Sequence, residues 1–175
     1  MRCFLCLELP DGISSRLHEV QNEAKKLGLN ANFPKETHLT LCFYAEITAK
    51  QAQDTIQALR GGQLPKARLH VTGTGFFPSA EKPRVFWAGI ENPELIALQK
   101  KVCETIDYRE ERAFSPHVTL ARIKGTENVA QLRDLQKKHA NDDFGEFVAE
   151  KLLFKQSVLS SEGATHTTLA EIALS

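Results

Sequence analysis

The chain predicts an α+β fold: two pseudo-symmetric lobes, each a mostly antiparallel sheet with helices on its outer face and a cleft between them. Three observations point there. Apolar residues recur with period two in some segments and at helical spacing in others. The order strand, helix, strand, helix opens the chain and returns near residue 84, which suggests two related halves. Each half carries a matched tetrapeptide, His38-Leu39-Thr40-Leu41 and His117-Val118-Thr119-Leu120, at its second strand.

The elements follow from local pattern. Residues 2–9 read as a buried strand rather than a targeting segment, because the apolar run is short and leads into Glu8 and Asp11. Asp11 is expected to cap a helix with Leu17, Val20, Ala24 and Leu27 inward, stopped by Gly28. The strand 38–44 carries the first tetrapeptide. Thr48 opens a helix that buries Ala52, Ile56 and Leu59 and ends at Gly61-Gly62. Residues 67–77 and 84–90 form a hairpin with a long connection holding Pro78 and Pro83. A helix over 93–107 presents Leu95, Leu98, Val102 and Ile106 on one stripe. Pro116 precedes the strand 117–123, and a helix over 127–139 presents Val129, Leu132 and Leu135. Two strands, 146–160 and 166–173, close the chain. No linker interrupts it, so residues 1–175 are expected to form a single bilobal domain.

Composition narrows the function classes. With 42% hydrophobic and 25% charged residues the chain reads as an ordinary globular protein, and no apolar run is long enough to span a bilayer. The 22 basic residues balance the 22 acidic ones, which argues against a broad grip on a nucleic-acid backbone. Reading a strand end through one local pocket stays open. Cys3, Cys6, Cys42 and Cys103 sit in apolar contexts. Cys3 and Cys6 point to opposite faces of a strand with no second pair to complete a zinc site, so reduced core cysteines and a cytoplasmic location are expected.

The tetrapeptides carry the chemistry. Alternate side chains of a strand share a face, so each shows one imidazole and one hydroxyl on one surface and two aliphatic residues on the other. Facing one another, two such strands frame a small anion with two proton-transfer groups and two donors, an apparatus suited to phosphate esters. The looser pattern also occurs at His70-Val71-Thr72-Gly73 and His166-Thr167-Thr168-Leu169, but neither has a fully apolar rear face. For one tetrapeptide alone, a hydrogen-bonded strand histidine is the commoner case; the matched pair reverses that preference. Arg2 and Phe4 share a face with Cys6 and Glu8 and could hold a phosphate or stack on a base, although an edge arginine and a core phenylalanine are commoner. Arg122, five residues after His117, falls on the opposite face of an unbroken strand and is left outside the centre. Lys25-Lys26, Lys100-Lys101 and Lys137-Lys138 read as solvated helix faces, and His18 and His139 as bystanders.

In these residues the chain resembles the two-histidine phosphoesterases, and within them the RNA 2′,3′-cyclic phosphodiesterases, also called 2′–5′ RNA ligases. The likeness extends from the opening Met1-Arg2-Cys3-Phe4-Leu5-Cys6-Leu7-Glu8-Leu9 through Thr37–Phe43, Arg84–Ile90 and Phe114–Arg122 to Lys155-Gln156-Ser157-Val158-Leu159. His166 departs from it, standing where relatives often have tyrosine. The resemblance implies metal-independent hydrolysis of RNA 2′,3′-cyclic phosphate ends to 2′-phosphates, with no cofactor. It implies His38 as proton donor to the leaving 3′ oxygen, His117 as proton acceptor from water, and Thr40 and Thr119 as substrate-binding residues. Expected partners are RNA ends or nucleotides with a 2′,3′-cyclic phosphate, tRNA among them, with no membrane and a monomeric state. The alternatives are 2′–5′ joining of tRNA halves at the same site and a non-catalytic module that binds a nucleotide or RNA end.

Overall fold

The computed structural model describes residues 1–175. The elements run β1 (Arg2–Glu8), α1 (Asp11–Lys25), β2 (Ala31–Asn32), β3 (His38–Tyr44), α2 (Ala49–Gly61), β4 (Ala67–Phe77) and β5 (Val85–Glu91), followed by α3 (Pro93–Thr105), β6 (His117–Ile123), α4 (Val129–Lys138), β7 (Asp143–Ala149), β8 (Lys151–Ser160) and β9 (Gly163–Ala173). The α+β class expected from periodicity is what the chain adopts.

All strand pairs are antiparallel, in the order β7-β4-β5-β6-β3-β1-β8-β9, with β2 added to β6. About the central β6–β3 junction the order is symmetric: β5 answers β1, and β4 answers β8. The junction itself is narrow, a single pair between Leu39 and Val118. The helices cover one face. Leu17 and Val20 of α1, Ile56 and Leu59 of α2, Leu95 and Leu98 of α3 and Leu132 of α4 meet Leu39, Leu41, Val118 and Leu120 in one apolar cluster. The opposite face keeps the half-buried His38, Thr40, His117 and Thr119. Cys3 joins the helix-side core while Cys6 packs with Phe4 and Leu153 on the other side, so the two cysteines do face apart.

Local signals explain most boundaries. Thr48 and Gln51 form a reciprocal capping box at α2, and Asn92 accepts from the Glu94 amide ahead of Pro93 at the start of α3. Asp11 does not cap α1: Pro10 holds that position, and Asp11 lies in the first turn, where its charge faces the positive end of the helix dipole. The fourth helix starts later than expected, after Asn128 in the left-handed region at φ 58°.

One expected strand divides. The segment 146–160 is two strands, β7 on the edge beyond β4 and β8 beside β1, with only Glu150 between them. A continuous run of strand formers hides that crossing, because its cause is distant. The sheet curls until its ends approach: the Ser175 amide donates to the Leu64 carbonyl and the Leu174 amide to that of Glu150, both at 2.9 Å. The two-residue β2 carried too little pattern to be read.

Two bulges decide what the open face displays. In the β1–β3 ladder Leu5 pairs with Cys42 and Cys6 with Thr40, so Leu41 has no opposite. In the β5–β6 ladder Phe86 pairs with Ala121 and Trp87 with Thr119, so Leu120 has none. The extra residue falls at the fourth position of both tetrapeptides. A bulge shifts the alternation by one residue, so Leu41-Cys42 and Leu120-Ala121 are consecutive buried pairs. The next residues, Phe43 and Arg122, emerge on the histidine face.

Gln21 of α1 secures the second bulge. Only 2% exposed, its amide nitrogen donates to the carbonyls of Leu120 (2.9 Å) and Pro34 (2.8 Å). Gln21→Leu strands both carbonyls in the core. A loss of about 1–3 kcal/mol in unfolding free energy is expected, read from denaturant midpoints at unchanged m-value.

Candidate active site

The Leu39–Val118 pair sets the geometry. Leu39 and Val118 point into the core there, so His38 and Thr40 on one strand and His117 and Thr119 on the other turn to the opposite face. The result is an open face that carries both histidines and both threonines on two adjacent strands.

The two histidines have different surroundings. The His117 ring meets the Phe77 ring edge-on, with centroids 4.9 Å apart, and Phe77 also packs on Trp87 at 5.2 Å. Trp87 lies over Gly75, where a Cβ would come within 2.4 Å of the indole. His117 Nδ1 stands 2.8 Å from the Ser115 carbonyl, to which it can only donate. That bond places the proton on Nδ1 and leaves Nε2 with its lone pair, the form a base needs. Burial holds the His117 pKa below its ordinary value, the Ser115 carbonyl opposes the shift and Arg122 adds to it.

His38 stacks on Phe4 at 5.0 Å with 25° between the rings, and the His166 ring meets it edge-on at 5.5 Å. Its Nδ1 is buried without a hydrogen-bond partner. Burial pushes its pKa down to about 4, helped by His166, Lys155 and Arg122 and opposed by Glu36. Both imidazoles are therefore neutral in the free protein at pH 7.

Cations ring this face. Arg122 acts electrostatically on both histidines. Its own pKa is lowered, by burial of the guanidinium first and then by Arg2, with no carboxylate offsetting either. Arg2 sits 4.6 Å from the centre of the exposed Phe43 ring. Lys155, 5% exposed, bridges Glu8 (3.1 Å) and Glu36 (3.2 Å). Burial alone would lower the Lys155 pKa, but the two carboxylate hydrogen bonds raise it, so the ammonium persists. Phosphate chemistry suits such a surface: two neutral imidazoles beside Arg122 and Arg2, neither of which is paired with a carboxylate.

The structure thus sets His38, Thr40, His117 and Thr119 on one face, with Phe4 stacked on His38 and Arg2 farther along β1, beside Phe43. Arg122 corrects the sequence reading: the Leu120 bulge turns it onto the histidine face, where parity along an unbroken strand put it behind. The one signal for that bulge along the chain is the consecutive apolar pair after each threonine, Leu41-Cys42 and Leu120-Ala121, which breaks strict alternation. Lys155 was missed as a neighbour of His38, and His166, which the resemblance put at the rim of the site, packs on it; β8 and β9 reach His38 only through the sheet order. His70, with Asp143 at 2.8 Å, lies on β4, two strands from His117, and His139 is held by Glu23 and Asp142.

Known proteins resemble this chain in sequence and in fold. A family model described as LigT like Phosphoesterase matches residues 7–87. A protein of Aquifex aeolicus named RNA 2′,3′-cyclic phosphodiesterase is 32% identical over 152 residues, 81% of this chain and 79% of its own length. One of the same name from Methanocaldococcus jannaschii is 28% identical over 174 residues, 98% of this chain and 99% of its own. The crystal structure of TT0787 of Thermus thermophilus superposes with a TM-score of 0.83 at 24% identity, covering 99% of this chain and 98% of that one. Sequence similarity over nearly the full length and a shared fold lead to one conclusion: the chain belongs to the LigT-like phosphoesterase family.

Proposed function

We propose that this protein hydrolyses the 2′,3′-cyclic phosphate ends of RNA to 2′-phosphates without a metal ion, using His38 and His117 as acid and base. The observation that carries the reading is the register at the β3–β6 junction, which sets two histidines and two threonines on one face. Water enters on the side of phosphorus opposite the 3′ oxygen and gives its proton to His117 Nε2. The bond from phosphorus to the 3′ oxygen breaks, and His38 delivers a proton to that oxygen. The Thr40 and Thr119 hydroxyls and the Arg122 guanidinium hold the non-bridging oxygens as their charge grows. Arg2 and Phe4 border the space left for the nucleoside. The 175 residues act as one bilobal, monomeric, cytoplasmic domain in this reading, and RNA ends, tRNA halves included, are the partners.

His38 takes up its proton with the substrate, since a phosphodiester anion beside the ring favours the imidazolium. The pH dependence follows. A rate that needs a proton on His38 falls as pH rises above that group's pKa. In the free enzyme both imidazole values are depressed, so kcat/KM is expected to be bell-shaped with its optimum below about pH 6.5. The falling limb of kcat lies at higher pH than that of kcat/KM, because bound phosphate raises the acid's pKa. A profile flat across the imidazole range would refute the pair. Incubation with a 2′,3′-cyclic nucleotide in excess chelator, with the product identified as the 2′- or 3′-phosphate, tests the whole reading. No turnover with tight binding would instead mark a nucleotide-binding module. Joining of a 2′,3′-cyclic phosphate end to a 5′-hydroxyl end would mark 2′–5′ ligation, in which the 5′-hydroxyl replaces water as nucleophile, His117 takes its proton and His38 again protonates the leaving 3′ oxygen.

A further inference from the structure

We propose that Glu36, His38 and His166 form a binding site for a borderline transition-metal ion such as Zn2+, Cu2+ or Ni2+, and that its occupation switches hydrolysis off. One ligand atom from each of the three residues lies within 4.8 Å of the others. Tetrahedral zinc with ligands at about 2.0–2.1 Å places them about 3.4 Å apart, so closing the site takes side-chain shifts of about 1 Å. The contributions come from three places: Glu36 from the segment before β3, His38 from the start of β3, and His166 from β9. Glu36 and His166 already touch, with 3.4 Å between Oε2 and Nδ1, and the Glu36 side chain is half exposed, which gives an ion a way in.

The ligand chemistry is selective. Two imidazoles and one carboxylate suit zinc, copper and nickel; magnesium and calcium prefer oxygen and lack it here. The nearby Lys155 ammonium does not close the site, because Lys155 keeps Glu8 as partner at 3.1 Å when Glu36 turns to an ion. The Phe4 ring, 5.0 Å from His38 and 4.9 Å from His166, walls the two imidazoles from below and leaves water or a phosphate oxygen as the fourth ligand. Nor do the other histidine clusters substitute. His139 has both ring nitrogens engaged, by Asp142 and Glu23, and His70 meets carboxylates on the open surface.

Binding rests on this geometry alone. Inhibition rests also on the reading of His38 as proton donor, since an imidazole bound to a metal through either nitrogen cannot become the imidazolium. The test therefore has two arms. In the first, chelator-stripped protein is titrated with Co2+ by visible absorbance and with Zn2+ against a chromophoric chelator. The wild type is expected to bind one ion at this site. His166→Phe, which preserves the ring packing, and Glu36→Gln, which preserves size, should each bind at least about tenfold more weakly. Equal binding by wild type and both variants, or none by wild type, overturns the site. In the second arm, Zn2+ should inhibit stripped wild-type enzyme reversibly, and His166→Phe should require about tenfold more for the same fractional inhibition. Zinc bound without inhibition overturns the switch. Should stripped wild-type protein show no hydrolysis at all, the catalytic reading falls while the first arm still decides the metal site.

Discussion

Alanine in place of His38 or His117 is expected to lower turnover of a 2′,3′-cyclic nucleotide by about 10²–10⁴-fold each, the range for losing a positioned acid or base. The double variant should be little worse than the more damaged single one, because both groups serve the same displacement. Stability should hold. The rings lie on the open face, outside the main core, and His38 brings a buried Nδ1 without a partner, so its removal relieves a cost rather than creating one. Steady-state kinetics in chelator, paired with thermal unfolding, checks both halves of this expectation. Either single variant retaining near wild-type turnover would take that histidine out of the mechanism.

Arg122→Met is expected to cost about 10²–10³-fold in kcat, the scale for removing one preorganised group that stabilises charge in the transition state. Arg122 influences both imidazoles and is crowded by Arg2, so its charge is directed at the face a phosphate would occupy. Arg122→Lys should recover only part of the loss, since a point charge cannot reproduce the planar fork of donors. A structural role predicts something else. Unfolding would shift, and competitive inhibition by inorganic phosphate would not weaken in step with kcat. Turnover unchanged in Arg122→Met would return the arginine to the periphery, where simple strand parity had put it.

Much of this architecture is legible along the chain because the deciding interactions are local. The helix stripes appear as spaced apolar residues, and Thr48 with Gln51 announces a cap within four residues. The tetrapeptides show their own two-faced character, since alternation in a strand needs no partner to be true. Even the separation of Cys3 from Cys6 follows from counting. The division of 146–160 at Glu150 could not be counted, because both halves of that run favour strand and only the curl of the sheet sends them to different neighbours.

The amino-acid order by itself determined the α+β class, the positions of most helices and strands, and the four residues His38, Thr40, His117 and Thr119, because side-chain period and capping act over a few residues. Tertiary structure alone decided what surrounds them. The single Leu39–Val118 contact puts the tetrapeptides side by side, and the bulges at Leu41 and Leu120 turn Phe43 and Arg122 to the same face. The sheet order carries Lys155 and His166 from the end of the chain to His38. Each of these depends on which strands pair and in what register, and pairing energy is spread over residues more than a hundred positions apart, where no local pattern reaches.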